Sequence, residues 1–262
     1  MTVVHVCGPA SIGFAVADAL RGLASVRVSA PIAELRGRRK DDRTVAAVLV
    51  APRDPTGASG SVFIRELTTA NPTIPVIAIC DAGLDHSATI RELAAAGAHE
   101  LLFPQLDLTG SSLRSIIATA RHECVTAAVL DRVLPLFPRW LHPFVEQCVA
   151  QHETATRVAD VARILGVNRK TLFAHCLRHD LPGPAEILSW CRLFMAAYLL
   201  EHSQRTIEAI ALDLDWASST ALRNMMKRYT GCRASDIRRL GGLTRVIDAF
   251  ERRREARERS SA

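Results

Sequence analysis

Along the first half of the chain, short apolar runs alternate with segments able to form amphipathic helices. VVHVC (3–7), SVRVS (25–29), VAAVLVA (45–51), PVIAIC (75–80) and HELLF (99–103) read as strands, and helix-capable stretches lie near 10–22, 31–39, 59–70, 86–96 and 111–129. Several of the strands are apolar almost throughout, as a sheet covered on both faces demands. Five βα units predict an α/β domain, a doubly wound five-stranded parallel sheet. Ligands of such sheets bind at the carboxyl ends of the strands.

Beyond residue 125 the pattern changes. Pro135, Pro138 and Pro143 divide 125–150 into short pieces. A hinge or packing segment is expected there, then a first helix over about 141–151, with Trp140 and Phe144 as core contacts. Further on, two apolar seams superpose: Val158, Val161, Ala162, Leu165, Val167, Leu172, Cys176 on Ile207, Ile210, Ala211, Leu214, Trp216, Leu222, Met226. The offset is 49 up to Trp216 and 50 from Leu222, so the units differ by one residue in the turn. Each reads as helix, tight turn, helix, which is a helix-turn-helix present twice. Between them, PAEILSWCRLFMAAYLLE (184–201) keeps apolar residues at helical spacing. Its roughly 18 residues give a rod of about 27 Å, comparable with the roughly 34 Å between successive major grooves on one face of B-DNA. A helical bundle whose surfaces do nothing is the plain alternative.

The order TRVADVARILGVNRKTLFAHC, long helix, RTIEAIALDLDWASSTALRNMMKRYTG resembles the DNA-binding domain of AraC/XylS-type transcription regulators over roughly 154–240. In the first unit Gly166 suits a left-handed turn and Asn168 an N-cap, after which Arg169, Lys170, Phe173 and Ala174 face outward. The resemblance implies that Lys170, Phe173 and Ala174 are at base-contacting positions, with Ala174 where arginine is frequent. In the second unit Ser218 caps the helix, and Ser219, Thr220, Arg223 and Asn224 share the face opposite Leu222 and Met226. Arginine pairs bidentately with guanine and asparagine with adenine, so Arg223 and Asn224 are the principal candidates. Asp215-Trp216 replaces the family's usual glycine-phenylalanine, and Arg233-Ala234 its common proline. Arg228, Arg233, Arg238 and Arg239 are the expected phosphate contacts, which set affinity and register.

VLVAPRDPTGASG resembles the end of the third strand in response-regulator receiver domains, with Pro55 at the family's proline and Ala51 at its phosphoacceptor. The paired acidic positions hold Cys7 and Gly8, the hydroxyl position Cys80, and the lysine position Phe103. Phosphoryl transfer there needs carboxylates, Mg²⁺ and a balancing cation, and Asp54 alone does not rebuild such a pocket. A receiver-like domain without aspartyl phosphorylation follows, serving dimerisation, protein contact or an unknown ligand. Gly8-Pro9-Ala10-Ser11-Ile12-Gly13 matches neither nucleotide-loop pattern. Cys7 and Cys80 at strand ends leave a thiol sensor as a minor alternative.

The formal charge of +6 lies entirely in the second half, since residues 1–130 hold 12 basic and 12 acidic side chains. A polyanion would prefer that half. Seven dispersed cysteines without a C-x-x-C pair form no disulfide framework. His175, Cys176 and His179 are read as structural, and no metal or cofactor is expected. No apolar run reaches membrane-spanning length and the N-terminus lacks signal-peptide features, so a cytoplasmic protein is expected.

The resulting organisation is a receiver-like α/β domain (1–124), a linker (125–140), an all-α double helix-turn-helix domain (141–243) and a charged tail (244–262). The expected function is sequence-specific transcription regulation on double-stranded DNA, as a homodimer, with RNA polymerase a candidate partner. The rival is an architectural or adaptor protein that binds DNA without sequence preference or binds another protein. An enzyme would need a catalytic constellation, and none is apparent.

Overall fold

The computed structural model describes residues 3–22, 24–28, 45–54, 56–71, 74–80, 87–151, 157–203 and 205–261. The expected helix near 31–39 and the proline at 55 lie outside them. The chain divides into two compact units, Met1–Val125 and Thr126–Ala262.

In the first unit, strands β1 (Val3–Cys7), β2 (Ser25–Val28), β3 (Val45–Val50), β4 (Val76–Ile79) and β5 (Glu100–Leu102) form one sheet. Its order is β2-β1-β3-β4-β5, and every pair is parallel. This is the flavodoxin-like, doubly wound order expected of a receiver-like domain. Period-two alternation divides the strand residues between two cores. Val4, Val6, Leu49, Ile77 and Ile79 pack with Val16 of helix α1 (Ala10–Ala19) and with Leu113 and Ala120 further along the chain. Val48, Val50, Val76 and Ala78 pack with Phe63, Ile64 and Leu67 of helix α2 (Gly60–Ala70) and Leu93 of helix α3 (Ser87–Ala95). Burial on both faces is why β3 and β4 carry hardly a polar residue.

At the carboxyl ends of the strands Cys7, Ala51 and Cys80 are all buried. Asp54 is also buried, and its carboxylate accepts from the Thr56 and Ala58 backbone N–H groups at 2.8 and 2.9 Å and from the Thr56 hydroxyl at 2.6 Å. It therefore organises the loop after β3, an Asx-type turn. After β5 comes the one-turn helix α4 (Pro104–Asp107), where Asp107 accepts the Phe103 N–H at 2.8 Å.

Helix α5 runs unbroken from Gly110 to Val133, so the first part of the expected linker is helical. The reason is plain in the residues: the first breaker is Pro135, and Val125, Val129 and Val133 repeat every four residues and are buried. Two 3₁₀ turns, Leu134–Leu136 and Arg139–Leu141, lead to helix α6 (His142–Ala150). Pro143 lies in the first turn of α6, where its missing N–H costs nothing.

The second unit is built around α9 (Pro184–His202), which follows α7 (Val158–Ile164) and α8 (Arg169–Arg178). It buries Ile187, Trp190, Cys191, Leu193, Phe194, Met195, Ala197 and Leu200 on all sides, the mark of a core helix. Then come α10 (Ile207–Asp213), α11 (Ser219–Thr230), α12 (Ala234–Arg239) and α13 (Gly242–Ser261).

The last of these belongs to the core: within the segment expected as a charged tail, α13 buries Val246, Ala249 and Phe250. The Phe250 ring packs on Phe137, Trp190 and Phe194 at centroid distances of 5.2, 5.3 and 5.9 Å. Arg253 and Arg257 pair with Glu186 at 3.3 and 2.8 Å, and Arg254 donates to the Leu136 carbonyl at 3.0 Å. The arginines that give the segment its charge tie it down.

Replacing Phe250 by alanine should destabilise the second unit by about 3–5 kcal/mol, read by denaturant unfolding. In the first unit the His99 Nδ1 accepts the Val76 N–H at 3.1 Å, and burial pushes the imidazole below its usual range. The unfolded chain then binds the proton more readily, so stability rises with pH through this window. The contribution should be complete above about pH 6.5 and decline as pH falls toward the lower folded value. Replacing His99 by glutamine should remove that part of the pH profile of unfolding.

Candidate nucleic-acid interface

The two helix-turn-helix units close their turns in the same way. In the first, Gly166 has φ +63° and the Val167 N–H donates to the Ala162 carbonyl at 2.9 Å. In the second, Asp215 has φ +50° and the Trp216 N–H donates to the Ala211 carbonyl at 2.9 Å. Both correspondences fall at an offset of 49, and the extra residue follows them. Both recognition helices carry a side-chain cap: Asn168 accepts the N–H of Lys170, two residues on, at 2.8 Å, and the Ser218 hydroxyl that of Ala221, three residues on, at 3.1 Å.

Asp215 occupies a backbone region that glycine enters without cost, and the strain is met from α9. The Arg192 Nη2 donates to the Leu214 and Asp215 carbonyls at 2.9 and 2.8 Å, and the guanidinium lies 4.4 Å from the Trp216 ring centroid. Burial lowers the pKa of Arg192, which the Asp215 carboxylate partly offsets. Sequence reasoning missed this clamp, whose signal was one arginine in a run of apolar residues.

With Leu172, Cys176, Leu222 and Met226 buried, the opposite faces are presented outward. Asn168, Arg169, Lys170 and Phe173 line one cleft of about 660 Å³. Arg223 and Asn224 line another of about 300 Å³ with Ile207, Lys227, Arg233, Ala234 and Ser235. Thr220 is exposed nearby and Ser219 half-buried. The two heads differ in chemistry. The first exposes Phe173 (55%) and Leu177 (67%); the second carries Arg223, bonded to the Ser219 hydroxyl at 3.0 Å and to the Glu208 carboxylate at 2.5 Å. Lys227 and Glu208 were not singled out from the sequence.

The four expected phosphate-binding arginines separate. Arg228 and Arg233 are exposed, and Arg239 is exposed beside Asp236 at 3.4 Å. Arg238 turns inward, its Nε donating to the Leu200 carbonyl at 3.3 Å and its Nη2 to the Arg205 carbonyl. These carbonyls lie at and just beyond the end of α9, where the helix leaves acceptors unsatisfied. Arg238 is thus a cap, which a spacing argument does not distinguish from a surface cation.

His175 and His179 pack on the Trp140 ring at centroid distances of 5.6 and 5.3 Å, with Cys176 fully buried between them in sequence. Among the described residues no group of three or more His, Cys, Asp or Glu side chains is placed to hold a metal ion. No helix among them is long and apolar enough to cross a membrane.

Residues 161–240 match a family model described as a helix-turn-helix domain. No curated protein matches the chain. Similar solved structures include an adenylate cyclase from Rhodopirellula baltica (13% identity, TM-score 0.41, 52% of this chain and 98% of that one). A response regulator receiver domain from Clostridium thermocellum has 22% identity and a TM-score of 0.38, over 46% of this chain and 94% of that one. The response regulator StyR has 20% identity and a TM-score of 0.35, over 87% and 99%. At these scores it is the strand order that defines the first unit's fold.

Residues 161–240 therefore form a helix-turn-helix domain. It is preceded by a unit with the receiver-like strand order β2-β1-β3-β4-β5. Replacing Arg238 by alanine should cost about 1–3 kcal/mol in thermal unfolding and leave the salt dependence of DNA binding unchanged.

Proposed function

We propose that the protein regulates transcription by reading two successive major grooves of cytoplasmic double-stranded DNA with α8 and α11. The observation that carries this reading is the matched pair of turns, each leading into a recognition helix with a side-chain cap. Asn168, Arg169, Lys170 and Phe173 form the first reading face, and Ser219, Thr220, Arg223 and Asn224 the second. The first works by apolar contact, Phe173 meeting thymine methyl groups, and the second by polar contact, Arg223 to guanine and Asn224 to adenine. Arg228, Arg233 and Arg239 hold phosphates.

In this reading the receiver-like unit acts without aspartyl phosphorylation. Cys7, Ala51, Cys80 and Phe103 stand where receivers carry their reactive groups, and Asp54 is committed to its loop. The unit serves dimerisation or regulatory contact instead, for which the exposed Phe14 and Leu106 offer apolar surface. RNA polymerase is the partner such a regulator would meet on DNA.

The exposed Phe173 and Leu177 favour a second reading, in which the first head meets protein and the molecule is an adaptor. Selection of bound sites from a random duplex pool by the full chain separates the two. The expected result is a motif in two patches about one helical turn apart; salt-sensitive retention without enrichment would support the adaptor. Replacing Arg223 by alanine should relax one position of the motif by about 1–3 kcal/mol, leaving the others selected.

A further inference from the structure

Arg223 is not an open arm. Its Nη2 donates to Glu208 Oε1 at 2.5 Å and its Nη1 to the Ser219 hydroxyl at 3.0 Å, so the scaffold helix α10 and the start of α11 hold the guanidinium between them. Both charged partners are substantially exposed, Arg223 at 43% and Glu208 at 61%. An ion pair in that setting adds little to folding, and α10 already has its cap, the Thr206 hydroxyl accepting the Ala209 N–H at 3.1 Å. The duplicated unit gives an internal comparison. At the offsets of 49 and 50, Glu208 corresponds to Ala159 and Arg223 to Phe173. The first head lacks both charges, and the second has both.

We propose that Glu208 is a specificity-determining residue: it orients Arg223 toward a guanine edge and keeps it from the phosphate backbone. The inference rests on the two-groove reading above. A guanidinium has five N–H donors in a rigid plane. Glu208 and Ser219 take one each from different nitrogens, which fixes the plane and leaves three donors. A phosphate approaching them meets the Glu208 carboxylate as well, and like charges repel. A guanine edge offers N7 and O6 as neutral acceptors and meets no such repulsion. Holding the side chain in advance also removes rotamer freedom that binding would otherwise have to remove. Glu208 is therefore a positioning residue acting through Arg223, and its carboxylate discriminates against nonspecific DNA.

The test uses the full chain, the duplex selected by it and a random duplex of equal length, with Kd measured over a range of salt concentrations. Glu208→Gln should bind random DNA about tenfold tighter, with little gain on the selected site, so that the specificity ratio falls about tenfold. The salt slope on random DNA should steepen by about one unit, as one more cation reaches a phosphate. Glu208→Ala, which introduces no amide donor, should behave alike. In the Arg223→Ala background Glu208→Gln should leave the ratio unchanged, as a coupled pair requires. Equal tightening on both duplexes would mean general loss of a negative charge and would overturn the proposal, as would a ratio change that persists without Arg223. If the parent chain selects no site at all, the two-groove reading falls and this inference with it.

Discussion

The second unit depends on one burial: the apolar surface of α9, which no single neighbour can cover. A helix apolar on every side must be enclosed, and here α6, the two helix-turn-helix units, α12 and α13 all contribute to enclosing it. That need explains why α13 returns to the core instead of trailing into solvent. It also explains why Trp190, Phe194 and Phe250 meet in one aromatic cluster, with ring centroids 5.3–6.0 Å apart. Because both recognition helices stand on scaffolds packed against the same rod, the distance between the heads is set by a core helix and not by loops.

Where a residue's role follows from periodicity, the sequence was readable. The central strands β3 and β4 could be recognised because a sheet covered on both faces leaves uninterrupted Val, Ile, Leu and Ala runs. The two heads could be recognised because a seam repeated at a fixed offset is hard to produce by chance. Asp54, placed beyond the strand in sequence, accepts hydrogen bonds from its own loop.

Periodicity fails for long cations, whose stems reach in either direction. Arg192, Arg238, Arg253, Arg254 and Arg257 bond to carbonyls or carboxylates of their own domain, yet in sequence they look like Arg228, which is exposed. The same failure hides the packing of α13, where the arginines following Phe250 mask a short apolar seam. The helix continues through Val133, beyond the expected end near 129, because its buried valines precede the first breaker, Pro135.

The Arg192 clamp has a bearing on how this chain can change over generations. Asp215 stands in a turn that otherwise calls for glycine, and it is accommodated by an arginine on another helix that holds its carbonyl. The two positions therefore constrain each other. A descendant could lose Arg192 readily only after gaining glycine at 215, and would then lose the support under Trp216. The first head, whose turn rests on Gly166, has no equivalent linkage among the described residues. Substitutions should accumulate under different rules in two units built on the same pattern.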